Sequence, residues 1–444
     1  MINPSALDRR RWLTFVGATL ALSATGCERR PESSSGHSGS GRSGSVGSPN
    51  SAATTSGPWV DDPALNRALQ WLWNKQSRAA DGSITFAAPG DPAPPADRDG
   101  SWKSETYALL KSGRTLTPFL LHAMQQVRYK ALPCGIHWSA AYDFVRRSIR
   151  PNGRVGRDAD DIVEYPTYAT ALALQTLIAA PPDFASPELR ASMVNYLVGQ
   201  QCDEGMAFGG TIAGGGFSFG YEKPIGGSPG HVDIGHTRHA LQALRAAGHD
   251  EPMTYRRAER FLRLLQKHPT EDRDQATPID RTVVSQRRPV YDGGFYFSPV
   301  AWAANKGGLD VNVDQPYFRS YATATCDGIL SLLACGVPRD DERIAAARKW
   351  LERHPELDYP GGIPTKTNEN WRESIRYYHF AVRAECYAAL EWPGTWRDEL
   401  RKIVVGLQQP DGSFVNREGA LMKEDDPLVC TGLAVLALSR CAAG

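Results

Sequence analysis

The chain has 444 residues and a formal net charge of +1, so no electrostatic field draws it to nucleic acid. Seven cysteines follow Cys27, at positions 134, 202, 326, 335, 386, 430 and 441. An odd number without a Cys-x-x-Cys pair excludes a disulfide framework and a zinc knuckle; most sit in apolar runs, as buried thiols do.

At the N terminus, Arg9, Arg10 and Arg11 precede an apolar run from Phe15 that ends in Ala24-Thr25-Gly26-Cys27. The run is too short to span a bilayer and fits the hydrophobic region of a signal peptide. The block (1–27) resembles a bacterial lipoprotein signal with a twin-arginine start. The resemblance implies export to the cell envelope, cleavage before Cys27, and a lipid on Cys27 that anchors the chain to a membrane; an uncleaved anchor is the alternative. Residues 28–57, almost all Ser, Gly, Pro, Thr and Arg, have nothing to bury and read as a disordered tether. From Trp59 the composition turns to Trp, Leu, Ala and Tyr, so the folded part is 58–444, ample for a large core.

Within it the chain repeats. TYATALALQTL (167–177) matches SYATATCDGIL (320–330), with further copies at TRHALQALRAAG (237–248), FAVRAECYAAL (380–390), LVCTGLAVLAL (428–438) and TLTPFLLHAM (115–124). Each is Ala-rich and apolar on most sides, which predicts a helix packed all round. Between them lie amphipathic segments at 64–76, 141–149, 193–201, 256–266, 343–353 and 399–409, each with one apolar stripe and one charged face. Most are followed by a glycine turn such as GGGF at 214 or DGSF at 411. No segment alternates as a strand. The order of outer helix, glycine turn, loop and inner helix, six times over, predicts an all-α (α/α)6 toroid filling 58–444.

At this point the chain resembles the squalene–hopene cyclase and prenyltransferase repeat superfamily: QQPDGSF (408–414) fits the family's Gln-x3-Gly-x-Trp/Phe repeat, and QQCDEGMAF (200–208) fits it loosely. YDGGFYFSP, FRSYATATCDGILSLLACGV and DGSWKSETYALLKSG resemble bacterial lipoproteins of that superfamily. The resemblance covers nearly all of 59–440. It implies the toroid and a long apolar, isoprenoid-like ligand in its central funnel, whether bound or converted; a fold by itself does not name the chemistry.

In a closed ring of parallel inner helices the N-termini open at one end, with unsatisfied N–H groups and partial positive charge. By the repeat alignment the residues converging there are Glu164 and Tyr165, Asp233 and His236, Tyr317 and Arg319, Tyr378 and His379, Asp425 and Asp426, and Arg114. Taken singly, each also reads as an ordinary helix cap. Asp233, His236 and His379 are the acid–base candidates; Phe295, Phe297, Tyr317, Tyr321, Tyr377 and Tyr378 are candidate ring faces along the funnel, or plain core filling. The spelling Asp158-Ala-Asp160-Asp161 matches the acid motif of hopene cyclases. Alignment on the inner helix puts it in a loop and places Asp233-Ile-Gly-His236 under the motif instead, with the central acid lost. Aligned with the zinc ligands of protein farnesyltransferase β subunits, the chain has Arg319 and Tyr321, so no metal and no cofactor are expected. Two other functions fit the same fold: a lipid- or peptide-binding module at the envelope without chemistry, and a carbohydrate-active enzyme with carboxylates paired across the funnel, for instance Asp233 with Asp426 or Glu164.

Overall fold

In a computed structural model the described residues are 59–78, 94–130, 137–156, 165–203, 212–220, 231–271, 273, 290–310, 317–365 and 369–442. They belong to one compact unit, Gly57–Gly444. Cys27, the 28–57 tether, Asp158, Asp160, Asp161 and Glu164 lie outside them.

The described residues are mostly helical. The helices are α1 (Pro63–Lys75), α2 (Leu116–Gln125), α3 (Trp138–Arg147), α4 (Pro166–Ala179), α5 (Pro187–Gly199), α6 (Ile234–Ala246), α7 (Pro252–Leu265), α8 (Ala322–Cys335), α9 (Glu342–Glu352), α10 (Trp371–Ser374), α11 (Arg376–Ala389), α12 (Trp396–Gly406) and α13 (Pro427–Cys441). The only strands among the described residues are β1 (Leu309–Asp310) and β2 (Tyr317–Phe318), an antiparallel pair too short to leave an alternating pattern in the sequence. No described helix is long and apolar enough to cross a membrane.

The Ala-rich helices pack on one another in sequence order: α2 on α4, α4 on α6, α6 on α8, α8 on α11, α11 on α13, and α13 back on α2. The amphipathic helices lie outside them. α3 packs on α2 and α4, α5 on α4 and α6, α7 on α6 and α8, α9 on α8, α12 on α11 and α13, and α1 on α13. In α8 every residue from Ala322 to Leu332 is buried, as a helix with neighbours on all sides requires. In α7 the stripe Tyr255, Ala258, Phe261, Leu262 and Leu265 is buried while Arg256, Arg257 and Arg260 face water.

Recurring hydrogen bonds explain why the repeat keeps its glycine, threonine and glutamine. After five of the glycine turns, the residue that follows donates its backbone N–H to a threonine in the first two turns of the next inner helix; α11 (RYYHFAVRAECYAA) has no threonine to do so. The pairs are Trp102 to Thr117 (3.1 Å), Val155 to Thr170 (2.9 Å), Phe217 to Thr237 (3.0 Å), Phe295 to Thr325 (3.1 Å) and Phe414 to Thr431 (3.0 Å). A buried N–H without such a partner costs about 1–3 kcal/mol. A glutamine closing the outer helix then ties the turn to the next outer helix. Gln201 donates to Gly215 O (3.0 Å) and Thr254 O (2.8 Å), and Gln266 to Gly293 O (3.1 Å) and Arg343 O (2.8 Å). Gln408 donates to Gly412 O (2.9 Å) and Ala64 O (2.8 Å), which joins the last turn to the first helix. The glycines permit this approach. Gly215 has φ +89°, and a Cβ there would lie 1.9 Å from Arg257 O on α7; Gly412, with φ +94°, would meet Arg67 O on α1 at 2.5 Å.

Candidate functional site

The inner helices begin beside one another. Glu424, ahead of α13, accepts the first backbone N–H groups of α11 from Tyr377 and Tyr378, both at 2.8 Å. Asp426 caps α13 through Leu428 N (2.8 Å) and Val429 N (3.3 Å) and also accepts from the Ser104 hydroxyl. Tyr165, ahead of α4, packs with its ring tilted against Phe219 at 5.1 Å, and its hydroxyl accepts from Lys423 at 2.8 Å. Asp233 is the cap of α6, accepting from His236 N at 2.9 Å. It is fully buried, and its Oδ2 also meets His231 Nε2 (2.8 Å) and His236 Nδ1 (2.7 Å). Burial alone would raise this carboxyl, but the two histidines outweigh it and hold the acid well below its usual range.

Deeper along the interior lies a layer of buried charge. Arg238 on α6 donates to Asp327 on α8 (2.9 Å) and to Glu385 on α11. The Tyr378 hydroxyl donates to both oxygens of Asp327 at 2.9 and 3.0 Å, and Gln242 donates to Glu385 at 2.8 Å. Burial lifts the Asp327 carboxyl against the pull of Arg238; for Glu385, burial is outweighed by Arg238 and Arg440, and the carboxyl sits low. Lys306 is buried with its ammonium 4.3 Å over Phe297 and 5.4 Å from the Trp371 ring. Burial brings it down to about 8, while Asp233 and Asp327 oppose the shift.

Beyond that layer the interior opens into a cavity of about 600 Å³. Its walls come from the C-terminal ends of α2, α4, α6, α8, α11 and α13: His122 and Gln126, Gln175, Gln242 and Arg245, Leu330 with Leu333 and Ala334, Glu385 with Ala388 and Ala389, and Arg440. One wall, from α8 and α11, is largely apolar; the opposite one, from α2, α4 and α6, presents imidazole and amide groups. Arg440 donates to Gln126 at 2.8 Å, and Arg245 covers the C-terminal carbonyls of Ala334 (2.8 Å) and Cys335 (3.2 Å). Burial depresses His122 to about 4, so this imidazole is neutral near pH 7.

Not every expected residue faces this interior. His379 does not join Asp233 and His236: its Nε2 meets Glu356 O at 3.2 Å, in the loop after the outer helix α9, and burial with nearby Arg383 holds it neutral. The one-residue step from Tyr378 to His379, about 100° around a helix, separates the interior face from the outer-layer face. Phe295 is core: fully buried, its ring lies 2.6 Å from where a Gly328 Cβ would stand. Tyr377 is likewise buried, against Phe380 (5.3 Å) and Phe414 (6.1 Å). Tyr317 lies in β2 and Arg319 directly follows it. The Tyr317 hydroxyl donates to Asp310 (3.3 Å), and Arg319 donates to Leu309 O (2.6 Å) and pairs with Asp310 (3.3 Å). Tyr321 caps α8 and is fully buried, its hydroxyl without a hydrogen-bond partner among the described residues. The alignment pointed to the helix starts, whereas the cavity lies towards the helix ends. Its signal in the sequence is the scatter of His122, Gln126, Gln175, Gln242 and Glu385 through otherwise apolar helices.

No protein-family model matches the chain, and no curated protein matches it. Solved structures do match. The apo form of the type II terpene cyclase MstE from Scytonema is 13% identical over 85% of this chain and 97% of its own, with a TM-score of 0.48. A variant of MstE in complex with its product, merosterolic acid A, is 12% identical over 85% of this chain and 96% of its own, with a TM-score of 0.47. A protein from Actinoplanes is 14% identical over 86% of this chain and 99% of its own, with a TM-score of 0.45.

Proposed function

We propose that the chain is an exported, lipid-anchored (α/α)6 toroid of six helical hairpins that binds an amphipathic, isoprenoid-like molecule in the cavity at the C-terminal ends of its inner helices. The observation that carries this reading is the two-sided cavity wall. Leu330, Leu333, Ala334, Ala388 and Ala389 offer an apolar strip for a hydrocarbon chain, and His122, Gln126, Gln175 and Gln242 face it with hydrogen-bonding groups for a polar end. Gln126 and Gln242 are oriented by Arg440 and Glu385, and a wholly apolar ligand would leave the remaining hydrogen-bonding capacity of this wall unused. A volume near 600 Å³ falls in the range of small-molecule sites, roughly 300–1,000 Å³. Binding is favoured over acid-started cyclisation because each carboxylate described above already has partners: Asp233 two histidines, Asp327 and Glu385 the same arginine, Glu424 the first N–H groups of α11. Burial does lift Asp327 and raises Glu424 to about 8, but an acid that protonates an alkene also has to be free to reach it.

A fluorescent prenyl alcohol titrated into the purified protein should bind saturably. Leu333→Trp, which fills the apolar side, should abolish that binding while the thermal midpoint stays within a few degrees. Absence of saturable binding, or binding indifferent to Leu333→Trp, overturns the reading. The anchor is tested separately: Cys27→Ser should move the protein from the membrane to the soluble fraction, and a cleaved, serine-bearing chain that stays on the membrane refutes lipidation at that residue.

A further inference from the structure

We propose that His231, Asp233 and His236 form a binding site for a divalent transition metal ion, for which Zn²⁺ is the probe. The three lie in the segment His-Val-Asp-Ile-Gly-His, and the local backbone explains their convergence. Val232 is held extended: it bridges Ser218 in antiparallel fashion, and its carbonyl accepts from the Ser298 hydroxyl at 2.5 Å. Extended backbone sends residues 231 and 233 to the same side. Asp233, also extended at φ −149° and ψ 170°, then opens α6, and the first turn brings residue 236 round to the cap. One ligand atom from each side chain comes within 4.8 Å of the other two.

The donor set selects the class of ion. Two imidazole nitrogens and one carboxylate oxygen suit Zn²⁺ and its first-row neighbours, whereas Mg²⁺ and Ca²⁺ take oxygen ligands almost throughout. The spacing is close to what such an ion needs. Asp233 Oδ2 lies 2.8 Å from His231 Nε2 and 2.7 Å from His236 Nδ1, and tetrahedral bonds near 2.0–2.1 Å separate ligand atoms by about 3.3 Å. Each imidazole needs to part from Oδ2 by only about half an ångström. The surroundings already hold them. Asp233 Oδ1 is fixed by His236 N–H, leaving Oδ2 as the ligand, and Phe219 packs against both rings at 5.4 and 5.0 Å. Hydrogen bonds alone leave the cluster incomplete. Both imidazoles converge on a single oxygen, Asp233 Oδ2, so neither ligand nitrogen has an acceptor to itself. His231, its side chain 31% exposed, gives an ion a way in from solvent. The partial positive charge of the α6 N-terminus opposes a cation, and its N–H bond to Oδ1 lowers the donor strength of the carboxylate; both favour nitrogen-seeking ions over hard ones.

The test uses the full chain stripped of metal by a chelator. Zn²⁺ titrated calorimetrically should bind at one equivalent, and Co²⁺ should give visible d–d bands without the near-ultraviolet band of a thiolate ligand, which sets this site apart from any at the cysteines. His231→Ala and His236→Ala should each weaken binding by at least the roughly 10–100-fold that loss of even an outer partner costs. Asp233→Ala is avoided because it also uncaps α6; if His236→Ala fails to fold, His231→Gln on the exposed side carries the test. No stoichiometric uptake by the wild type, uptake unchanged in the histidine variants, or a thiolate band would each overturn the proposal.

Discussion

Replacing Arg238 by methionine would leave two carboxylates facing each other inside the ring. Arg238 is 4% exposed; it donates to Asp327, whose side chain is 1% exposed, and to Glu385, whose side chain is 26% exposed and reaches the cavity. Removing one partner of a buried ion pair costs about 3–5 kcal/mol, a large share of the roughly 5–15 kcal/mol that holds a domain folded. Two features push the expectation to the lower end. Tyr378 still donates to Asp327 and Gln242 to Glu385, and the cavity admits water to Glu385. A loss of about 3 kcal/mol near neutral pH follows. Its pH dependence has a fixed sign. Without the guanidinium, burial leaves both carboxyls with folded pKa values above their unfolded ones, so the variant's deficit is absent below the unfolded pKa and grows as pH rises through the folded one. Guanidinium unfolding with the slope m held constant, at about pH 7.5 and about pH 4.5, reads this directly. Adding Asp327→Asn and Glu385→Gln to Arg238→Met should recover most of the loss. A deficit under about 1 kcal/mol, or one equal at both pH values, would refute the account of the buried layer.

Two further predictions concern the fold. His122 is depressed from 6.5 to about 4, so its contribution is complete above the unfolded value and is lost as pH falls through that window; His122→Gln should therefore lose up to about 3 kcal/mol less than wild type between pH 7 and pH 4, measured by denaturant midpoints. Gly215→Ala combines a left-handed backbone with a Cβ 1.9 Å from Arg257 O, and should destabilise by about 3 kcal/mol or more; a thermal midpoint within two degrees of wild type would show that the turn does not press on α7 as described.

The helices were legible because burial leaves a period. The amphipathic segments expected at 256–266 and 343–353 are α7 at Pro252–Leu265 and α9 at Glu342–Glu352, and the run expected at 428–438 is α13 at Pro427–Cys441. The errors at their starts are caps: Glu251, Asp341 and Asp426 accept from the first helical N–H groups, so each helix begins just after its cap, ahead of the first residue of the expected segment. The candidate site was less legible. Asp233 was singled out from its place before an inner helix, but His231 was not, because its approach depends on the extended Val232 and on Phe219, which no helical or strand period connects to it. His379 shows the converse limit. A repeat alignment accurate to a residue or two finds the helix but not its face, and one residue decides between Asp327 and Glu356 as the neighbour.

The glutamine that joins the last turn to the first helix has a consequence for chain connectivity. Open arrays of helical repeats end in exposed faces and need polar capping units, and they can be lengthened or shortened by whole repeats. A hoop fastened by Gln408 to Ala64 has no terminal unit: any repeat removed opens two seams at once, and the place where the polypeptide starts is incidental to which surfaces touch. New termini could therefore be cut at the turn around Gly394, where an added methyl group would meet nothing within 4 Å, with the old ends bridged beside α1 and α13, and the same hoop should assemble from a rotated sequence.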